Sequence, residues 1–218
     1  MTKLYIILLS ALLLLCGCSQ TNFVTKIEFT AEDNLEQCAE IISNRLSYMG
    51  YKNKIEVLNN KIIAWLNSTS DIQLLKDVLS TKGDFLISLS EEPLFVKTDD
   101  GFGAAGITAD VFNTKVTRSD IKRVKTVKSN GDLESYIELT FTAAGKEKIT
   151  ELSDFASKSG YGLIIALDDK YYQAPVASTL ETDTFILDKF AGEDAFTEKT
   201  AKMYAAVISC GELPCELK

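Results

Sequence analysis

Residues 161–176, which read YGLIIALDDKYYQAPV, decide the fold. The stretch from Tyr161 to Leu167 is almost entirely apolar, as expected for a strand at the centre of a sheet. Asp168 and Asp169 are turn-forming residues, and they lead the chain into a second strand from Lys170. The segment therefore predicts two successive strands, of which the first lies inside a sheet.

The elements on both sides of this segment follow the same pattern of strands and amphipathic helices. Asn130-Gly131 is a strong hairpin signal between strands at residues 121–128 and 133–141. Thr142 can cap a helix that precedes Tyr161, and Thr197 can cap the last helix of the chain. A further strand is predicted between these helices, at residues 184–190.

The first half of the chain repeats the alternation of strands and helices. Asp33 or Asn34 can cap a first helix, which Gly50 ends, and Ser70 or Asp71 can cap a second. The predicted strands are residues 24–29, 54–58, 61–66, 84–89 and 94–97, with Asn59-Asn60 as a hairpin turn. The fold class is therefore α+β, with two small subdomains that each carry helices on an antiparallel sheet.

A turn-rich segment divides the two halves. We place the boundary at residues 98–103 and expect Gly101, Gly103 and Gly106 to act as a hinge. The same glycines match the dinucleotide pattern Gly-x-Gly-x-x-Gly. Asp99 and Asp100 precede the first glycine and would repel a pyrophosphate, and no long helix follows. We therefore expect a hinge and no cofactor.

The first eighteen residues resemble a bacterial lipoprotein signal. An apolar run of 12 residues, 4–15, broken only by Ser10, follows Lys3 and is too short for a spanning helix, which needs roughly 20. Gly17 precedes Cys18 as in a lipobox, which implies cleavage after residue 17 and a lipid on Cys18. An ordinary secretory signal or an uncleaved anchor is the alternative. Residues 18–26 would form the lipidated tether.

Composition excludes several classes of function. The formal net charge of −8 argues against nucleic acid as a partner. The basic stretch at residues 115–128 is interpreted as a solvated strand face, with an anionic ligand site as the alternative. On a strand, alternation places Lys122 on one face with Val124 and places Arg123 and Lys125 on the other. The chain has no histidine, which removes histidine-based nucleophile systems and zinc sites.

Three cysteines remain once Cys16 and Cys18 are set aside. Cys210 and Cys215 either close a short disulfide outside the cytoplasm or stay free thiols. Cys38 lies on the apolar face of the first helix and is interpreted as a core residue.

Two pairs of neighbouring residues within residues 161–176 are candidates for catalysis or binding. Asp168 and Asp169 can be a carboxylate pair, although adjacent acids at a strand end are typical of a solvated turn. Tyr171 and Tyr172 point to opposite faces of their strand, so one is exposed. An exposed tyrosine on an edge strand can contact an extended peptide, and an isolated surface tyrosine is the alternative.

Several motifs together resemble the first periplasmic domain of SecD, a membrane protein that assists late protein export. Ile42, Arg45 and Gly50 are similar to that family's Ile-x-x-Arg helix and its closing glycine. The other motifs are the strand, turn and Ala-Pro-Val segment at 163–176, Leu-Thr-Phe-Thr-Ala-Ala-Gly at 139–145, and the closing helix with its Gly-x-Leu-Pro end at 196–214.

The resemblance covers residues 27–218. It implies a ferredoxin-like base subdomain at 27–98 and a mobile head at 104–218 that contacts exported polypeptide. Asp169 and Asp188 stand where the family tends to have glycine, and neither alters the expected fold. SecD continues into transmembrane helices that carry its proton-coupled engine, where this sequence ends. We therefore expect a protein without a motor.

The combined prediction is a lipid-anchored SecD-like protein outside the cytoplasm, at the periplasmic side of the inner or outer membrane or at the cell surface. Its expected partners are unfolded exported polypeptides or the translocon. The alternative is an envelope interaction module that kept the fold and lost the export role. An enzyme that uses Asp168 and Asp169 is the weakest of the three hypotheses, so we expect no enzyme.

Overall fold

The computed structural model describes residues 23–68, 71–90, 113–129 and 134–218, and all structural statements concern these ranges. They contain three antiparallel sheets and four α-helices. The strands are β1 (Thr25–Thr30), β2 (Asn53–Leu58), β3 (Lys61–Leu66), β4 (Phe85–Leu89), β5 (Val116–Thr117), β6 (Ile121–Lys128), β7 (Ser135–Phe141), β8 (Gly162–Leu167), β9 (Lys170–Pro175) and β10 (Thr184–Leu187). The helices are α1 (Leu35–Tyr48), α2 (Ile72–Ser80), α3 (Ala143–Ser159) and α4 (Glu198–Cys210), and a 3₁₀ turn spans Arg118–Asp120.

The first sheet has the order β1-β3-β2, and α1 and α2 share a hydrophobic core with it. The predicted hairpin at Asn59-Asn60 is confirmed: Leu58 pairs with Lys61, and Asn59 adopts a φ of 55°. The inward residues of β3 are completely buried, as period-2 alternation requires, and they are Ile62, Ala64 and Leu66.

The ends of α1 and α2 agree with the predicted signals in all but one detail. Gly50, with a φ of 91°, follows α1, and the Tyr51 N–H donates to the Leu46 carbonyl across it. Asp71 caps α2 by accepting from the Leu74 N–H. Asn34 occupies the cap position of α1, but its side chain makes no capping hydrogen bond.

The second sheet has the order β5-β4-β8-β9. The central position predicted for the apolar strand is confirmed, since β8 lies between β4 and β9. Phe85 of β4 pairs with Leu167 of β8, so a strand from the first half of the chain belongs to a sheet of the second half. The boundary at residues 98–103 lies outside the described residues, and the division into 27–98 and 104–218 stays a prediction.

The third sheet, β10-β7-β6, packs with the second sheet, α3 and α4 around a second hydrophobic core. Thr142 and Thr197 cap their helices as predicted, accepting from the backbone N–H of Gly145 and Thr200. The alternation predicted for residues 121–128 is wrong at its start. A register shift between Ile121 and Arg123 leaves Lys122 exposed while Val124 is buried, because a bulge inserts one residue into the strand.

Candidate functional site

The candidate site is the outer edge of β9. Within the described ranges β9 has one neighbouring strand, β8, so its other edge faces away from the sheet. Tyr171 is 50% exposed on this strand, whereas Tyr172 is partly buried and packs on the second core. The structure thus divides the two tyrosines as their alternation predicts, and Tyr171 is the accessible one.

Backbone groups on this edge are partly covered. The Tyr171 carbonyl accepts from the Ala191 N–H at 2.7 Å, so the backbone of residue 171 faces outward. Because N–H and C=O groups alternate between the two sides of an antiparallel strand, the backbone of Gln173 faces the same way. Among the described residues, no other strand pairs with Gln173 on this edge, so its N–H and C=O are positioned for a partner strand.

The start of β9 is fixed by charged and aromatic contacts. Lys170 forms an ion pair with Glu193, which also accepts from the Tyr204 hydroxyl at 3.2 Å. The hydrogen bond to Glu193 raises the pKa of Lys170, and burial raises the pKa of Tyr204. The Tyr204 ring packs edge-on against Phe190, with ring centroids 5.1 Å apart. These contacts hold Lys170, at the start of β9, against Glu193 and Tyr204.

Asp168, one of the candidate catalytic acids, has a structural role. Its carboxylate accepts from the backbone N–H of Gly83 at 2.9 Å and of Asp84 at 2.8 Å. These bonds tie the β8–β9 turn to the residues that enter β4. Asp169 beside it is exposed. The Asp168 carboxylate is thus occupied by backbone donors, whereas Asp169 is left exposed at the turn.

Arg45 also binds the backbone that leads from α2 into β4. It is completely buried on α1, and its guanidinium donates to the carbonyls of Val78, Leu79, Thr81, Lys82 and Gly211. Burial lowers the pKa of Arg45 to about 10, a value at which the side chain is still charged at neutral pH. The cation thus neutralises the carbonyl end of α2 and joins it to the end of α4.

The segment from Thr81 to Asp84 is consequently a clamped joint between the two cores. Arg45 binds carbonyls on this segment and Asp168 binds its N–H groups, so both hydrogen-bonding functions of the backbone are satisfied. Gly83 fits there with a φ of +91°, and a Cβ on it would lie 2.8 Å from Arg45 Nη2. Only glycine adopts this positive φ without strain and leaves the Arg45 guanidinium in place.

The sequence left open whether Cys210 and Cys215 form a disulfide or stay free thiols. Cys210 and Cys215 are both free, and the neighbour of Cys215 is Cys38, with 3.1 Å between the two Sγ atoms. The C-terminal segment returns to α1 after α4, which the spacing of the two nearby cysteines could not reveal.

The remaining predicted site residues lie outside the described ranges. Cys18 belongs to residues 1–22, and Gly101, Gly103 and Gly106 belong to residues 91–112. Their roles as a lipid attachment site and a hinge stay predictions.

Comparison with known proteins places the chain by its fold. No protein-family model matches the sequence, and no curated protein matches it. A crystal structure of SecDF in a super-membrane-facing form aligns with a TM-score of 0.62 at 17% identity, over 88% of this chain and 29% of that one. A second structure, of SecDF as a membrane component that enhances protein export, aligns with a TM-score of 0.61 at 18% identity, over 89% and 97%.

The chain has a SecD-like fold. It spans less than a third of the first of these proteins and nearly the whole length of the second chain. In the part of the chain that the structure describes, no helix is both long enough and apolar enough to cross a membrane.

The structure explains two residues of the SecD-like motifs, Gly145 and Arg45. Gly145 of the Leu-Thr-Phe-Thr-Ala-Ala-Gly motif lies against the 3₁₀ turn, where a Cβ would be 2.3 Å from the Asp120 carbonyl oxygen. Arg45 of the Ile-x-x-Arg helix is the clamp of the joint. The sequence pattern assigned no role to Arg45, although an arginine on the apolar face of α1, between Ile42 and Leu46, indicates a buried cation.

Proposed function

We propose that this protein is a lipid-anchored, extracytoplasmic SecD-like protein that binds extended segments of exported polypeptides and serves protein export. The observation that carries the proposal is a SecD-like fold with an accessible edge strand, β9. The SecDF structure it resembles is described as enhancing protein export.

The proposed binding mode is addition of a strand to β9. An extended polypeptide would pair with the outward N–H and C=O of Gln173, and the exposed Tyr171 ring would cover its apolar side chains. Backbone pairing is independent of sequence, which suits a protein that meets many different unfolded chains. The alternative is an envelope protein that uses the same edge for one specific partner.

The proposed location rests on the lipobox at residues 15–18. A lipid on Cys18 would hold the chain at a membrane through its tether, since acyl chains contribute about 0.8 kcal/mol for each buried CH₂ group. The role that we assign is binding and not catalysis. Asp168 supports this because its carboxylate is occupied by backbone N–H groups.

Binding through the edge is tested by removing one backbone donor. Gln173→Pro deletes the outward N–H. It leaves the hydrogen bonds between β9 and β8 intact, because the backbone N–H and C=O of residue 173 point away from β8. We expect the affinity for a permanently unfolded, carboxymethylated polypeptide to fall about tenfold in fluorescence anisotropy. Gln173→Ala is the matched control, because it keeps the N–H and should bind like the parent chain.

The partner in cells is tested by photocrosslinking. A crosslinking amino acid at position 171 should capture exported precursors or translocon subunits, whereas one at Ile186, which is 54% exposed on β10, should not. Capture of a single unrelated envelope protein from position 171 would favour the alternative. Equal capture from both positions would refute a specific role for β9.

The anchor is tested by Cys18→Ala. We expect this variant to lose incorporation of labelled fatty acid and to leave the membrane fraction, and Cys16→Ala to keep both. Membrane attachment of Cys18→Ala without label would instead indicate an uncleaved apolar anchor.

A further inference from the structure

Two thiols from distant parts of the chain meet beside the first core. Cys38 is completely buried on α1, and Cys215 lies half-buried in the C-terminal segment. Their Sγ atoms are 3.1 Å apart, only about 1 Å more than a covalent S–S bond of about 2.05 Å. Small shifts of the two side chains would be enough to close a bond between them.

The fold itself brings the two thiols together. Leu213, two residues before Cys215, is buried in the first core, and its N–H donates to the Lys82 carbonyl at 2.7 Å. Beyond Cys215, Lys218 exchanges two backbone hydrogen bonds with Thr30, of 2.8 and 3.0 Å. Cys215 is therefore held between two attachment points, and its position opposite Cys38 is set on both sides.

The pair is accessible from one direction. Cys215 lines a surface cavity of about 460 Å³ with Asp33 and Thr30, and its thiol donates to the Asp33 carbonyl at 3.3 Å. Burial, together with the neighbouring Cys215, raises the pKa of Cys38 to about 12. A reactant in solvent therefore meets Cys215 first, and Cys38 reacts as the inner, resolving thiol.

We propose that Cys38 and Cys215 form a structural disulfide that fastens the C-terminal segment to α1. The inference rests on the proposed function in one respect: the oxidising compartment follows from the extracytoplasmic location. Cys210 is left as a single thiol, which replaces the bridge between Cys210 and Cys215 considered from the sequence.

The reaction is a thiol–disulfide exchange with a disulfide-containing oxidant. The Cys215 thiolate attacks the oxidant's S–S bond, forms a mixed disulfide and releases one thiolate of the oxidant. Cys38 then loses its proton to the solvent, attacks Sγ of Cys215 and releases the second thiolate. The two cysteines give up two electrons and two protons, and the oxidant's disulfide becomes two thiols, which for oxidised glutathione are two glutathione molecules.

The experiment equilibrates the purified full chain with oxidised glutathione, blocks free thiols with an alkylating agent and maps peptides by mass spectrometry without reductant. We expect one linked peptide, Cys38 with Cys215, and an alkylated Cys210. Adding dithiothreitol should lower the Tm by about 10 °C, because the bridge closes a long loop. Cys210→Ser should behave like the parent chain, and Cys215→Ser should lose both the linked peptide and the response to dithiothreitol.

A linked peptide between Cys210 and Cys215, or full alkylation of all three cysteines, would overturn the pairing. An unchanged Tm with dithiothreitol would overturn its structural role, and this measurement needs no variant. The redox state of the two cysteines in acid-quenched cells distinguishes a failure of the proposed pairing from a failure of the proposed location. If the cysteines are linked in glutathione buffer but reduced in cells, the proposed extracytoplasmic location is refuted and the proposed pairing stands.

Discussion

At the scale of the residue, the connection between the two cores depends on a few backbone-binding side chains. Arg45 donates to carbonyls and Asp168 accepts from N–H groups of the same short segment. Neither interaction resembles a catalytic site, although both residues are charged and one of them is buried. Their charged groups bind carbonyls and N–H groups of the backbone between α2 and β4.

Gly83 gives a test of this joint with a matched control. Gly83 and Gly50 both have a φ of +91°, but only Gly83 has atoms within contact distance of an added Cβ. We expect Gly50→Ala to lower the free energy of unfolding by about 1 kcal/mol through its backbone conformation alone. Gly83→Ala adds a collision with Arg45 and should cost about 3 kcal/mol in total. Urea denaturation measures both, and equal losses would contradict the close packing at the joint.

At the scale of the element, α3 is attached to the 3₁₀ turn before β6 by a half-buried charge pair. Asp120 is buried and accepts from Lys148 Nζ at 2.8 Å and from the Thr117 N–H at 2.9 Å. Burial alone would raise the pKa of Asp120, but the bonds from Lys148 and Thr117 outweigh it and lower the pKa. The helix is thus held at its first turns by an ionised carboxylate.

This pair predicts a pH dependence of stability. A carboxylate whose pKa is lower in the folded than in the unfolded chain stabilises the fold above the unfolded value, near 3.9. That contribution disappears as the pH falls through the lower, folded value. We expect the urea midpoint of the parent chain to drop between pH 5 and pH 3 more steeply than that of Asp120→Asn, which cannot titrate. Parallel profiles for the two proteins would contradict the role of Asp120.

At the scale of the whole molecule, the two cores are connected in several places. β4 joins the second sheet directly after the clamped segment, and Leu213 returns from the end of α4 into the first core. Arg45 contacts both the end of α2 and Gly211. Unfolding of one core would therefore break contacts that support the other.

Cooperative unfolding is the expected consequence. Trp65 is the only tryptophan of the chain and lies on β3, so its fluorescence reports on the first sheet. Far-UV circular dichroism reports on all helices and sheets. We expect the two signals to give one coincident urea transition. A Trp65 transition at a clearly lower urea concentration would show that the first core unfolds independently.

Local patterns predicted most elements correctly because caps, turns and alternation act within a few residues. Asp71, Thr142 and Thr197 cap their helices, and the apolar strand lies centrally between β4 and β9. The bulge at Lys122 was missed because an inserted residue leaves no mark in a pattern of alternation.

The sequence by itself determined the α+β class and the strand order within each hairpin, because short-range propensities encode them, and residues 15–18 resemble a lipobox. The tertiary structure alone decided which distant residues meet: Arg45 with Gly211, Asp168 with Gly83, and Cys38 with Cys215. Such meetings depend on how sheets and helices pack across long separations in the chain, and single-residue patterns do not record that packing. For the same physical reason, the accessible edge of β9 became visible only when its neighbours were in place.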